Sequence, residues 1–258
     1  MPTPLKKTDC LDKYHDHLDR VKAGLEGNEL PLLVDIVNNS MIQGQMHRLL
    51  DVGTGDGTWL IKIYDGIRSK IGFNNLLVEA LDPYPNERLI SICKNEGIKL
   101  IKSKIEYANL KPNFYDVINV THSAYYFDDL CLAFENMKKA LNKNGLLIVT
   151  LVSKRCILNR LTEEINRRKG IEPMNATTFL ECECIQDKLC LVDKLLIDHF
   201  FNRSYFLSDN KNLLSLHCIL SRKFANIQFY ADELHLFRLF LERQKSVDRQ
   251  NTIMVFKK

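Results

Sequence analysis

The chain has no run of about 18 apolar residues, so no segment is expected to cross a bilayer as a helix. Lys6 and Lys7 are not followed by an apolar stretch, so no secretory signal is expected either. No CxxC pair occurs among the eight cysteines, which removes the usual spacing of a four-thiolate zinc site. Cys182, Cys184 and Cys190 form a loose cluster that reads as reduced thiols packing like small hydrophobes. His15 and His17, two apart, face different sides of a helix, so no metal site is expected. With 11 Gly and 7 Pro, the sequence shows no collagen-like repeat, low-complexity tract or linker. Charge of one sign is also scarce: 36 basic against 32 acidic residues leave +4. The densest basic stretch, Lys154 to Lys169, is broken by Glu163 and Glu164 and reads as a solvated helix face. Neither a nucleic-acid nor a membrane partner is expected. These absences leave a cytoplasmic protein, expected to be a monomer.

What is present is ordinary for a globular chain of 258 residues: 45% hydrophobic and 26% charged. Helical spacing covers 12–26, with Tyr14, Leu18, Val21 and Leu25 on one face, and again 30–39. From 47 the period changes. Short apolar strands at 47–52, 76–81, 98–102, 114–120 and 146–152 alternate with helical segments at 57–69, 85–95 and 128 to about 142. Such alternation predicts an α/β fold, a mostly parallel sheet with helices on both faces. Further helices are expected at 155–168, 176–185, 210–221 and 230–245, with strands at 189–200 and 252–256. Three regions follow: an N-terminal helical cap at 1–44, a ligand-binding core at 45–152, and a C-terminal part at 153–258 that completes the sheet and covers the substrate.

The informative unit is Leu49-Leu50-Asp51-Val52-Gly53-Thr54-Gly55-Asp56-Gly57-Thr58. Gly53, Gly55 and Gly57 make a turn between strand and helix where the backbone can approach a ligand without a Cβ in the way. A dinucleotide loop would read GxGxxG. Here the sixth position is Thr58 and the third glycine comes one residue early. Asp51, two residues before Gly53, offers nothing to a pyrophosphate but suits a cation. S-adenosylmethionine fits, because it carries a sulfonium and an ammonium. Asp51 can hold the ammonium, and Asp82, ending the next strand, can accept both ribose hydroxyls through its two oxygens. Asp82 lies 27 residues beyond Gly55 (82 − 55), against ~20 in nucleotide folds; the loop at 66–75 absorbs the excess.

With this loop and acid in order, residues 45–152 resemble the class I S-adenosylmethionine-dependent methyltransferases, which implies a Rossmann-like fold with a seven-stranded sheet. A finer resemblance, to the histamine N-methyltransferases, rests on the run from Asp116 through Asn119, Thr121, His122, Tyr125 and Tyr126 to Asp129, on Asp82-Pro83 with Glu87, and on Asn251-Thr252-Ile253. It implies that Gly53, Asp82 and Glu87 bind the cofactor, that Thr121 touches it near the strand tip, and that Ile105 meets adenine through its backbone. It implies catalytic or substrate-holding roles for His122, where the family carries glutamine, and for Asn251. Tyr14 joins the substrate residues. Glu26 and Glu29 both stand where the family has a glutamate after its first helix. Lys104 departs from the acid that many class I enzymes carry there. The implied activity is N-methylation of a small amine or imidazole, with O-methylation, a protein acceptor or a non-catalytic homologue as alternatives.

His122 follows an apolar strand at the edge where open α/β sheets bind ligands. An imidazole there can accept a proton at neutral pH or position a substrate. Tyr125, Tyr126 and Phe127 beside it can hold an amine or sulfonium by cation–π attraction, or serve packing.

Overall fold

The computed structural model describes residues 29–72, 75–152, 189–221, 231–243 and 248–258, together with His17, Arg20 and the pair Leu25–Glu26. Tyr14 and the helices expected at 155–168 and 176–185 lie outside the described residues. The chain divides into two compact units: residues 28–151, 175–197 and 252–258, and residues 1–27, 152–174 and 198–251.

Among the described residues eight strands form one sheet: β1 (Leu25–Glu26), β2 (His47–Val52), β3 (Leu76–Leu81), β4 (Lys99–Ile101), β5 (Tyr115–Thr121), β6 (Leu141–Val152), β7 (Cys190–Phe201) and β8 (Asp248–Lys257). Their order is β1-β7-β8-β6-β5-β2-β3-β4, so seven strands carry the sheet and the two-residue β1 extends one edge. β2 runs parallel to β3 and β5, β3 to β4, and β5 to β6. This is the Rossmann-like methyltransferase architecture expected above. Of the expected helix 12–26, His17 and Arg20 are helical, but Leu25 and Glu26 instead pair antiparallel with Phe201 and Phe200. The outer edge of β7 supplies hydrogen-bond partners that a continued helix would leave unpaired.

The helices are α1 (Glu29–Ser40), α2 (Thr58–Ile71), α3 (Glu87–Glu96), α4 (Leu130–Ala140), α5 (Arg203–Ser208), α6 (Asn210–Ser221) and α7 (Ala231–Arg243). α2 buries Leu60, Ile63, Tyr64, Ile67 and Ile71, one stripe at helical spacing. Gly66 on α2 lets α1 approach: a Cβ there would lie 2.7 Å from Val34 Cγ1. Asn86 caps α3 by accepting from Leu89 N at 2.9 Å, and Asp129 caps α4 by accepting from Leu132 N at 3.0 Å. Each cap also holds the loop before its helix, and both loops end at the strand tips.

Alternate residues of each strand face opposite sides of the sheet. Leu49, Val117 and Ile148 join Leu33, Val37 and the α2 stripe, whereas Leu50, Ile118 and Leu147 join Ala133, Phe134 and Met137 of α4. Both faces are therefore covered, as the continuous apolar runs of β5 and β6 require. The helix expected to reach about 142 ends at Ala140, and the strand expected from 146 already begins at Leu141 with a bulge. Tyr115 pairs with Leu141 and Val117 with Leu146, so two steps along β5 match five along β6 (117 − 115 against 146 − 141). Asn142 holds the bulge by donating to Asp116 Oδ1 at 2.6 Å.

Of the cluster expected to hold reduced, packed thiols, Cys190 is free but exposed rather than packed, while Cys182 and Cys184 lie outside the described residues. Cys131, exposed on α4, is disulfide-bonded. Cys93 is a buried free thiol and Cys190 an exposed one. Among the described residues no cluster of three or more metal-ligating side chains occurs, and no helix is long and apolar enough to cross a membrane.

One buried acid ties β3, β4 and β5 together. Glu79, 5% exposed, accepts from the Tyr115 hydroxyl and from Lys99 Nζ at 3.0 Å. Burial and the Glu79 carboxylate hold the Tyr115 phenol well above its usual range. Tyr115→Phe leaves a carboxylate oxygen buried without its donor. The unfolding free energy from urea denaturation should fall by about 1.5–3 kcal/mol, the size of a hydrogen bond to a charged group.

Candidate active site

The carboxyl ends of β2, β3 and β5 meet at one edge because these strands are parallel and in register: Asp51 stands opposite Asn119 and beside Ala80, and Val52 beside Leu81. The loop after β2 is stitched to the end of β3. Gly53 N donates to Leu81 O at 2.7 Å, and Gly55 N to Asp82 Oδ2 at 2.9 Å. The other Asp82 oxygen accepts from Tyr84 N at 2.8 Å. Asp82 is 8% exposed.

All three loop glycines have left-handed φ, at 70°, 66° and 80°, but they serve different ends. A Cβ on Gly53 would sit 2.2 Å from Ser123 Cβ. Gly53 is therefore glycine because Ser123 crosses it, donating its hydroxyl to Val52 O at 2.6 Å. A Cβ on Gly57 would press on Ile92 and Leu89 at 3.0 and 3.1 Å, so this glycine admits α3. A Cβ on Gly55 would meet nothing within 4 Å. Gly55 alone of the three faces open space where a ligand can lie. Asp56 closes the turn onto α2, accepting from Thr58 N at 3.0 Å and from its hydroxyl at 2.7 Å.

Asp51 is buried, and Asn119 Nδ2 donates to its Oδ1 at 2.7 Å. Burial pushes its carboxyl up to about 6; hydrogen bonds from Asn119 and Thr54 oppose the rise, and the nearby Asp82 charge adds to it. Two neighbouring carboxylates at the strand tips, with an open face at Gly55, form a site that favours a cation carrying hydroxyl donors. The ammonium and ribose of S-adenosylmethionine meet that requirement.

At the tip of β5 the backbone turns into a left-handed conformation at His122, with φ 53°, unusual for a side chain of that size. His122 N donates to Thr150 O at 2.9 Å, which fixes the turn to β6. His122 Nε2 lies 3.0 Å from Glu29 Oε1 at the start of α1. Glu29 is 2% exposed. The Trp59 ring meets the imidazole edge-on at 6.5 Å, and Tyr125 stacks on it at 6.4 Å. Of the two glutamates left open by the sequence, Glu29 is the one paired with His122, while Glu26 lies in β1.

The remaining expected residues are placed as follows. Thr121 ends β5 and donates to Asn119 Oδ1 at 3.1 Å. Ile105 is a core side chain whose carbonyl accepts from Asn136 Nδ2 at 3.1 Å. Glu87 is exposed in the first turn of α3, and Tyr126 is 45% exposed. Asn251 is wholly buried in β8, in the second unit. Lys104 pairs with Asp128, which raises the lysine's pKa. Glu106 accepts from Asp128 N at 2.6 Å, holding the loop before α4. Sequence reasoning missed Asn119, Ser123 and Glu106. The alternation of β5, which puts Asn119 and Thr121 on one face, is a signal for Asn119 alone.

A family model described as a methyltransferase domain matches residues 17–193. The chain belongs to this family; it is a class I methyltransferase and its cofactor is S-adenosylmethionine. Solved structures share the fold at low identity. A candidate sarcosine dimethylglycine methyltransferase from Galdieria sulphuraria is 14% identical with TM-score 0.57, over 89% of this chain and 84% of that one. The N-methyltransferase NodS from Bradyrhizobium japonicum, in complex with S-adenosylhomocysteine, is 14% identical with TM-score 0.51, over 90% and 86%. The 4+2 cyclase SpnF is 15% identical with TM-score 0.53, over 88% and 80%. No curated protein sequence matches significantly.

The three glycine roles separate in experiment. Gly53→Ala combines left-handed strain, worth about 1–3 kcal/mol, with overlap on Ser123, so its melting temperature should fall well below that of Gly55→Ala. Gly55→Ala should instead lose cofactor affinity in calorimetry. Asp82→Ala should weaken S-adenosylmethionine binding by about 2–3 kcal/mol, the worth of hydrogen bonds to a charged group.

Proposed function

We propose that this chain methylates a nitrogen of a small amine or imidazole, in the manner of the histamine N-methyltransferases it resembles. The observation that carries this reading is the pair of Glu29 and His122, 3.0 Å apart, flanked by Trp59 and Tyr125. It lies one residue from Ser123, which touches Gly53 of the cofactor loop.

The cofactor supplies an electrophilic methyl group on a sulfonium. Asp51 holds its ammonium, Asp82 its ribose hydroxyls, and Gly55 leaves room for both. The acceptor nitrogen must present a lone pair, so an ammonium has to lose its proton first. Glu29 and His122 give that proton a place, at His122 Nε2 or Glu29 Oε1. The aromatic walls exclude water and favour a cationic or aromatic acceptor. Holding the acceptor in line contributes much of the rate, about 7–11 kcal/mol in favourable cases. Thr121, Tyr126 and Asn251 complete the set by resemblance, with Tyr14.

The test is methyl transfer from S-adenosylmethionine to a panel of small amines, imidazoles and phenols, read by mass spectrometry. Methylated amine or imidazole products are expected. Methylation of phenols alone, or of none of the panel, would refute the reading. On the preferred acceptor, Glu29→Gln should lower kcat/KM by roughly tenfold or more, a loss of at least ~1.4 kcal/mol of transition-state stabilisation. Its cofactor affinity should stay near that of the wild type.

A further inference from the structure

Asp51 needs a partner to work as a carboxylate. It is 6% exposed, and the charges around it do not favour ionisation. Four groups face it from the surrounding elements. Asp82, beyond the tip of β3, repels its charge. Cys93 of α3 is buried, and its thiol is raised by burial and by Asp51. Thr54 from the loop lowers the carboxyl by a hydrogen bond, and its hydroxyl also donates to the Asp51 main-chain carbonyl at 3.1 Å. Asn119 of β5 supplies the side-chain donor, at 2.7 Å. No lysine or arginine is among these four.

The amide is itself held. Asn119 is 1% exposed, and the Thr121 hydroxyl donates to its Oδ1 at 3.1 Å. With the amide oxygen engaged by a donor, the amide nitrogen faces Asp51. That orientation serves an ionised carboxylate, whose oxygens only accept, better than a protonated one, which offers fewer acceptor sites. The row Thr121–Asn119–Asp51 crosses from β5 to β2 because Asp51 and Asn119 are register partners in parallel strands.

We propose that Asn119 is a positioning residue for the cofactor site, holding the Asp51 carboxylate ionised and aimed at the ammonium of S-adenosylmethionine. This rests on the assignment of that ammonium to Asp51. A cation bound at Asp51 requires the ionised form, so binding below the carboxyl's pKa displaces a proton. The carboxyl stands near 6 in the free protein, so affinity should rise with pH from 5 to about 6 and then level off. For the free protein the sign is opposite. The folded carboxyl is raised from 3.8 to about 6, so the folded state holds the extra proton, and stability falls as pH rises through that window.

The experiment is calorimetric titration of the intact chain with S-adenosylmethionine from pH 5 to about 7.5, below the range in which the ligand's own α-amino group loses its proton. It compares wild type, Asn119→Leu, Thr121→Val and Asp51→Asn, each checked for its fold by circular dichroism. Asn119→Leu should move the rise in affinity upward by at least one pH unit. At pH 7, where a one-unit shift leaves about half of the carboxyl protonated, it should bind roughly twofold or more weakly. Thr121→Val, which frees the amide without removing it, should shift the rise the same way by less, and it decides the matter if Asn119→Leu does not fold. Asp51→Asn should bind weakly with no rise over this range. An Asn119→Leu profile that rises where the wild type does, with Asp51→Asn flat, would overturn the role of Asn119 alone. Wild-type affinity and profile in Asp51→Asn would overturn the ammonium assignment, and the inference with it.

Discussion

The parallel pairing of β2 with its neighbours β3 and β5 is the constraint on which the site depends. Hydrogen bonds along these ladders set Asp51 opposite Asn119 and bring the loop after β2 onto the end of β3. Parallel strands end together, so the residues that follow each one gather at a single edge. Asp51, Asp82 and His122 reach that edge from three different strands. The helices on either face keep the sheet dry and the strands immobile, so the edge is a fixed frame.

On that frame the groups divide by what they face. Burial, with the nearby Asp82 charge adding to it, makes an ionised Asp51 costly, and a cation beside it would offset that cost. His122, by contrast, already has a carboxylate beside it in Glu29. The left-handed backbone at His122 leads into Ser123, which crosses Gly53 of the loop after β2.

The shared fold does not select the reaction. NodS is an N-methyltransferase and SpnF a cyclase, and both superpose on this chain at similar TM-scores of 0.51 and 0.53. What such a fold does with its acceptor is a matter of the side chains grafted onto it and not of the fold itself. The lysine at 104 illustrates how local such differences are. It replaces an expected acid, yet the loop around it is held by Glu106 and by the ion pair with Asp128.

Strand and helix order, the glycine turn and the acids at 51 and 82 were legible in the residues, because each is encoded within a few positions: apolar period, turn chemistry, strand-end carboxylate. The strand at 76–81 and the helix at 210–221 fall where that local pattern puts them. What the sequence could not decide were relations between distant positions. Asn119 and Asp51 are 68 residues apart and meet only through strand register. Ser123 makes Gly53 obligatory from across the sheet edge, so one glycine of the loop serves packing that no local motif records. Glu26 and Glu29 were equivalent in the sequence. They were separated by an edge pairing and an ion pair, both formed with residues far along the chain. Such contacts depend on which surfaces packing brings together, and only the folded chain specifies that.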